Sequence, residues 1–131
     1  MQKFWITYAA ALTGASGVLL GAYGAHGLSR AFPNADLSVW RTAVLYHLLH
    51  AVGLLALSLY QGLTQGATPV PVAAHRSIHL VAAAFCFGVL LFSGSLYLLT
   101  TLGSTWGGVL GPLTPVGGVV LVLGWLLLLR R

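Results

Sequence analysis

The chain has 131 residues, 58% of them hydrophobic, and 5% with a fixed charge: six Lys or Arg and a single acid, Asp36. Soluble domains run at about 25% charged, so these side chains cannot build a water-facing surface. The net charge of +5 is scattered, with Arg130-Arg131 its longest basic run; nucleic-acid binding needs a clustered basic patch and carboxylate-pair catalysis a second acid, so a membrane protein is left.

About 20 apolar residues span a bilayer core, and cutting the chain at its fixed charges leaves four such runs. The first covers about 4–25, between Lys3 and Arg30, and carries Ala10, Gly14, Gly17, Gly21 and Gly24 at three- and four-residue steps, hence on one face. Gly17 and Gly21 form a GxxxG, the pattern that lets membrane helices approach closely. This face is predicted to pack within the chain, with dimerisation as the sharper alternative. Lys3, the apolar run and Ala22-Tyr23-Gly24-Ala25 also resemble a signal peptide; the run is nearer 20 residues than the usual 7–15, which favours a retained span.

Pro33-Asn34 breaks the chain, and Asp36 stands where an acid caps a following helix and meets its positive dipole end. The second run covers about 42–61, with Tyr46, His50 and Gly53 on one face and His47 bordering it. A turn-rich stretch at 65–71, with Pro69 and Pro71, leads to the third run at about 78–101. There His79, Cys86, Ser93 and Thr100 recur every seven residues, with Tyr97 four after Ser93, a polar ridge predicted to face the bundle. Gly103 to Gly108, then Pro112 and Pro115, close the third loop; Pro is tolerated near a helix start, where its missing N–H had no partner. The fourth run covers about 113–129, and Gly117, Val120 and Gly124 give it a shorter small-residue stripe.

Runs of this length in lipid must be helices, since every backbone N–H and C=O needs an internal partner. A β-barrel would alternate polarity, which Val119-Val120-Leu121-Val122-Leu123 does not. The reading is all-α: residues 1–131 as one polytopic domain of four transmembrane helices in a compact antiparallel bundle, with short loops and no room for a soluble domain. Lys3, Arg76, Arg130 and Arg131 then share one side and Arg30 and Arg41 the other, which predicts both termini in the cytoplasm. Trp5 and Trp125 near one face, and Trp40 and Trp106 near the other, read as an interfacial belt.

Polar residues inside spans are costly unless they face protein or water. The antiparallel topology brings Tyr46 and His50, Ser93 and Tyr97, Thr114, and His26 to the half of the bundle opposite the termini. Of the five histidines, His47 and His50 are spaced i,i+3, and His75 and His79 i,i+4. Either spacing puts two imidazoles on one face, but the acids or further Cys that complete a metal site are missing. No metal and no cofactor are therefore assigned. His75 and His79, beside Arg76, are expected at the membrane interface. Cys86 is a lone thiol, read as a small core residue.

Gly21-Ala22-Tyr23-Gly24-Ala25-His26-Gly27-Leu28, Tyr46 with His50-Ala51, Phe92-Ser93-Gly94-Ser95-Leu96-Tyr97-Leu98, and Thr114-Pro115-Val116-Gly117-Gly118 followed by Gly124-Trp125 occur in this order. Together they resemble the YgdD/YwdK-like family of small integral membrane proteins, across essentially the whole chain. The resemblance implies a four-helix, single-domain protein of bacterial inner membranes, with mitochondrial relatives and no established activity. His47 stands where that family commonly has Gln, which leaves His50 as the better candidate on its helix.

These motifs fall on the polar patch. His26, Tyr46, His50, Ser93, Ser95, Tyr97 and Thr114 are accordingly expected to form one hydrogen-bonded cluster, either binding a ligand or only tying helices together. Gly14, Gly17, Gly21, Gly24, Gly117 and Gly124 are expected at helix contacts. Three functional readings follow. The first is a non-enzymatic accessory or scaffold protein that contacts the bilayer and another membrane protein or itself. The second is a binder or carrier of a lipid, quinone or small solute through the cluster. The third, an enzyme or redox subunit, lacks acid–base pairs, a nucleotide loop and a haem pair.

Overall fold

The computed structural model describes residues 4–64 and 72–129, and among them the only regular structure is helical. Six α-helices follow in order: α1 (Trp5–His26), the single turn α2 (Leu28–Ala31), α3 (Leu37–Thr64), α4 (Val72–Leu102), α5 (Gly107–Leu110) and α6 (Leu113–Leu127), with a 3₁₀ turn at Ser104–Trp106 before α5. Four segments are long and apolar enough to cross a membrane: Trp5–His26, Leu37–Thr64, Ser77–Leu102 and Gly107–Leu127. The turn expected at 65–71 and the cations Lys3, Arg130 and Arg131 lie outside the described residues, as do the side chains of His75 and Arg76.

The helices outrun the windows cut at fixed charges. α3 has 28 residues, about 42 Å at 1.5 Å per residue, against a hydrocarbon core of about 30 Å. It starts four residues before Arg41, because a long cationic side chain can lie along an apolar stem and keep its head in water.

The start of α3 is fixed by Asp36. Its Oδ1 accepts the backbone N–H of Ser38 at 2.8 Å and of Val39 at 3.4 Å, and the Ser38 hydroxyl at 2.6 Å. Two otherwise unpaired amides of the first turn are thereby satisfied. The Ser38 hydroxyl, then the two amides, hold the Asp36 carboxyl below its ordinary pKa. The bundle's longest helix, α4, stops on Gly103, whose φ of +78° lies in the left-handed region that favours glycine and whose N–H donates to the Leu99 carbonyl at 3.1 Å. The last span is interrupted at Gly111-Pro112, since Pro112 and Pro115 have no N–H to continue the ladder.

Neighbouring helices run antiparallel. Along α1, Gly14, Gly17, Gly21 and Gly24 meet in turn Ala51, Leu48, Val44 and Trp40 of α3, each step up one helix matched by a step down the other. A hydrogen bond of 2.6 Å between Thr7 and Ser58 continues the register. A Cβ at Gly17 or Gly24 would run into Leu48 or the Trp40 indole. α4 and α6 interlock the same way, through Phe92 with Gly117, Gly88 with Leu121, and Phe85 with Gly124. At Gly117 an added Cβ would meet the backbone of Phe92 itself. These two helices touch main chain to main chain, the approach small residues permit in membranes.

α3 and α4 form the central pair. α1 packs chiefly on α3 and α6 chiefly on α4, with a lighter contact between α1 and α4. The apolar core lies where α1 and α4 begin and α3 ends: Ile6, Leu54, Val81, Ala82 and Phe85 are all within its buried cluster. Outward faces carry exposed Leu12, Leu19, Leu63, Leu90 and Val119. An apolar exterior of this extent suits lipid as solvent.

Candidate functional site

Most of the polar side chains held in the spans lie between helices, in ties that differ in depth. His50 sits near the middle of α3, 1% exposed. Its Nδ1 lies 2.7 Å from the carbonyl of Tyr46, one turn earlier. A carbonyl only accepts, so Nδ1 carries the proton. Nε2 then has the lone pair, and it accepts the indole N–H of Trp125 on α6 at 3.1 Å. Phe85 closes the ring edge-on at 5.0 Å. Both nitrogens of a neutral imidazole are engaged, so His50 joins α3 to α6.

His47, 8% exposed, joins three helices. Its Nε2 is 3.2 Å from Ser16 Oγ on α1, and its Nδ1 is 3.2 Å from the Tyr97 hydroxyl on α4. With the Ser16 proton on the Leu12 carbonyl, Nε2–H donates to Ser16 and Tyr97 donates to Nδ1. Toward the loop before α3, Trp40 is 4% exposed and donates its indole N–H to the Leu20 carbonyl at 2.9 Å. Its ring packs on Tyr97 at 4.6 Å. Trp40 is thus a helix-to-helix contact.

On α4, Ser93 is fully buried and donates to the Ala43 carbonyl of α3 at 2.9 Å. Ser95 and Thr114 share a hydrogen bond of 2.7 Å across α4 and α6. Ser95 also donates to the Phe92 carbonyl at 2.9 Å, in which case Thr114 is the donor of the pair. The Tyr46 ring is 39% exposed and contributes by packing on Phe92 at 4.6 Å. His26 is exposed at the end of α1, with no hydrogen bond to the other six expected residues among those described. The seven residues therefore do not share one hydrogen-bonded network. His50 bonds the Tyr46 carbonyl and Ser95 bonds Thr114, while Ser93 bonds Ala43, Tyr97 bonds His47 and His26 bonds none of the seven.

A further tie escaped the sequence reading. At the end of the bundle that holds the apolar core, Trp5 donates to His79 Nδ1 at 2.8 Å and stacks on the ring at 5.8 Å. His79 Nε2 faces the Gln61 amide at 3.4 Å. Because Nδ1 accepts, Nε2 of the neutral ring carries the proton, and chemistry requires the oxygen of the Gln61 amide to face it. Gln61 is 5% exposed. α1, α3 and α4 meet here, so His79 points inward rather than to headgroups. The available signal was a Trp within an apolar run, whose N–H needs an acceptor once buried.

All buried side-chain nitrogen and oxygen atoms among the described residues have a hydrogen-bond partner. No three His, Cys, Asp or Glu side chains among them converge as metal ligands would. What the arrangement does chemically is fix helix register and tautomers.

A family profile described as "Protein of unknown function (DUF423)" matches residues 20–118. The chain is 38% identical to UPF0382 membrane protein SSP2132 of Staphylococcus saprophyticus over 118 residues, which cover 90% of this chain and 88% of that one. It is 39% identical to UPF0382 membrane protein YwdK of Bacillus subtilis, covering 83% of this chain and 80% of the relative. A UPF0382 membrane protein of Schizosaccharomyces pombe is also 39% identical, over 88% of this chain and 91% of its own length. No solved structure matches the chain.

Proposed function

This chain belongs to the DUF423 family and is a multi-pass membrane protein, and on that premise we propose that it serves as a non-enzymatic accessory or scaffold protein of a membrane complex. It sits in the bacterial inner membrane with both termini cytoplasmic, the side to which the sequence assigns Lys3, Arg76, Arg130 and Arg131. Its partner is another membrane protein or a second copy of itself, met in the bilayer.

One observation carries this reading: the imidazoles held between helices, His47, His50 and His79, are already engaged there. His50 has a donor on one nitrogen and an acceptor on the other, and His47 and His79 are each bound at both nitrogens. A carrier working through the expected His/Ser/Tyr/Thr cluster would need a polar group with free hydrogen-bonding capacity, and His50 has none. The protein offers instead a rigid bundle with a long apolar exterior.

Purification of the tagged full chain from its native membrane in mild detergent, with mass spectrometry of what accompanies it, tests the proposal. A membrane protein recovered in fixed ratio, or a stable homo-oligomer, supports it. A monomer carrying a visible chromophore or stoichiometric metal would replace it with the redox reading.

A further inference from the structure

Between α3 and α6, floored by α4, lies a cavity of about 460 Å³. Its walls include Ala56 and Tyr60 of α3, Val81 and Phe85 of α4, and Trp125 and Leu127 of α6. Ala56, Tyr60 and Trp125 are exposed, so the cleft opens sideways to the surroundings of the bundle. Its inner end is Phe85, packed against mid-helix His50. Its outer end is marked by the hydroxyl-bearing residues of the lining among those described, Tyr60 and Ser77, and Ser77 directly follows Arg76, the fixed charge that precedes the third apolar run.

We propose that this cleft binds one acyl chain of an anionic phospholipid, with the headgroup at the Tyr60–Ser77 end. From Phe85 to Ser77 the wall rises about 12 Å at 1.5 Å per residue, close to the half-thickness of about 15 Å of a 30 Å hydrocarbon core. The cleft therefore matches the depth of a single leaflet. Its volume is within the range of about 300–1,000 Å³ typical of small-ligand sites. A helix about 10–12 Å across does not enter a cleft of this size. The apolar wall suits a hydrocarbon tail, and the hydroxyls stand where the tail ends and the glycerol and phosphate begin.

Charge selects the headgroup. The sequence assigns Lys3, Arg76, Arg130 and Arg131 to the end of the bundle where the cleft has its hydroxyls, and its single acid, Asp36, to the other end. Each cation near a membrane surface favours anionic lipid by about 1 kcal/mol, about fivefold in binding. This site is separate from the polar ties, and it does not depend on which protein the chain accompanies.

The test uses the full chain in nanodiscs made from equal phosphatidylcholine and phosphatidylglycerol, extracted gently and examined by native mass spectrometry. The expected wild-type result is one retained phosphatidylglycerol per chain, favoured over phosphatidylcholine by about fivefold or more. Ala56→Phe fills the cleft from its open side and is expected to abolish retention. Ala83→Phe, at an exposed position of α4 outside the lining, is expected to retain the lipid. Equal retention of the two lipids by the wild type, or no retained lipid, overturns the proposal whether or not the variants fold. Undiminished retention by a folded Ala56→Phe overturns it as well. A lipid result of either kind leaves the partner reading to its own co-purification experiment.

Discussion

The indole N–H of Trp125 on α6 donates to Nε2 of His50 on α3 across 3.1 Å, joining two helices that both pack on α4. The bond fixes the imidazole as the Nδ1–H tautomer, since the opposite nitrogen donates to the Tyr46 carbonyl. Nitrogen-15 NMR of the labelled protein in bicelles is expected to show His50 Nδ1 with a directly bonded proton and Nε2 without one. A directly bonded proton on Nε2 would refute the tie.

Gly117 and Gly94 should respond oppositely to alanine. A Cβ at Gly117 meets the Phe92 backbone, whereas at Gly94 it meets nothing within 4 Å. Gly117→Ala is expected to lose about 1–3 kcal/mol through overpacking. Gly94→Ala should be neutral or gain about 0.5–1 kcal/mol from the lower backbone freedom of alanine. Unfolding in mixed micelles reads both; equal effects would show that the close α4–α6 approach is not maintained.

Much of the helical framework was legible because its causes are local. Charge-free apolar runs mark the spans, the three- and four-residue glycine spacing marks the α1 face, and Asp36 sits two residues before the amide it caps. The polar ties were harder, because they depend on register between helices distant in sequence. Residues seven apart on α4, such as His79, Cys86 and Ser93, do share a side, yet each seven-residue step rises about 10.5 Å. They meet different neighbours at different depths: Ser93 reaches Ala43, while His79 reaches Trp5 and Gln61. The partners Trp5, Ser16, Gln61 and Trp125 could be paired only once the register was known. The lateral cleft, likewise, is a property of how three helices diverge.

Asp36 gives the protein an acid-sensitive helix start. Hydrogen bonds from Ser38 and Val39 lower its folded pKa, so its stabilising contribution is present above the unfolded carboxylate value, about 3.9. That contribution is lost as pH falls through the lower folded value. Asp36→Asn can still cap the helix, and its thermal midpoint should fall less than that of the wild type between pH 6 and the acid limb. Parallel curves for the two proteins would remove Asp36 from the account.

The buried Ser93 hydroxyl gives a smaller effect. Ser93→Ala removes its donor to the Ala43 carbonyl, and that carbonyl lies within α3. The expected loss is about 0.6 kcal/mol, the average for such bonds in membranes. A loss several times larger in the same unfolding assay would indicate a role beyond this tie.

The central claim is that the intramembrane polar groups hold the helices to one another. A double-mutant cycle between His50 and Trp125, using His50→Ala, Trp125→Phe and the double variant unfolded in bicelles, measures this most directly. The account predicts a favourable coupling of about 0.6–1.7 kcal/mol, from the average to the largest value for interhelical hydrogen bonds. Additive single effects, with no coupling between the two residues, would contradict it.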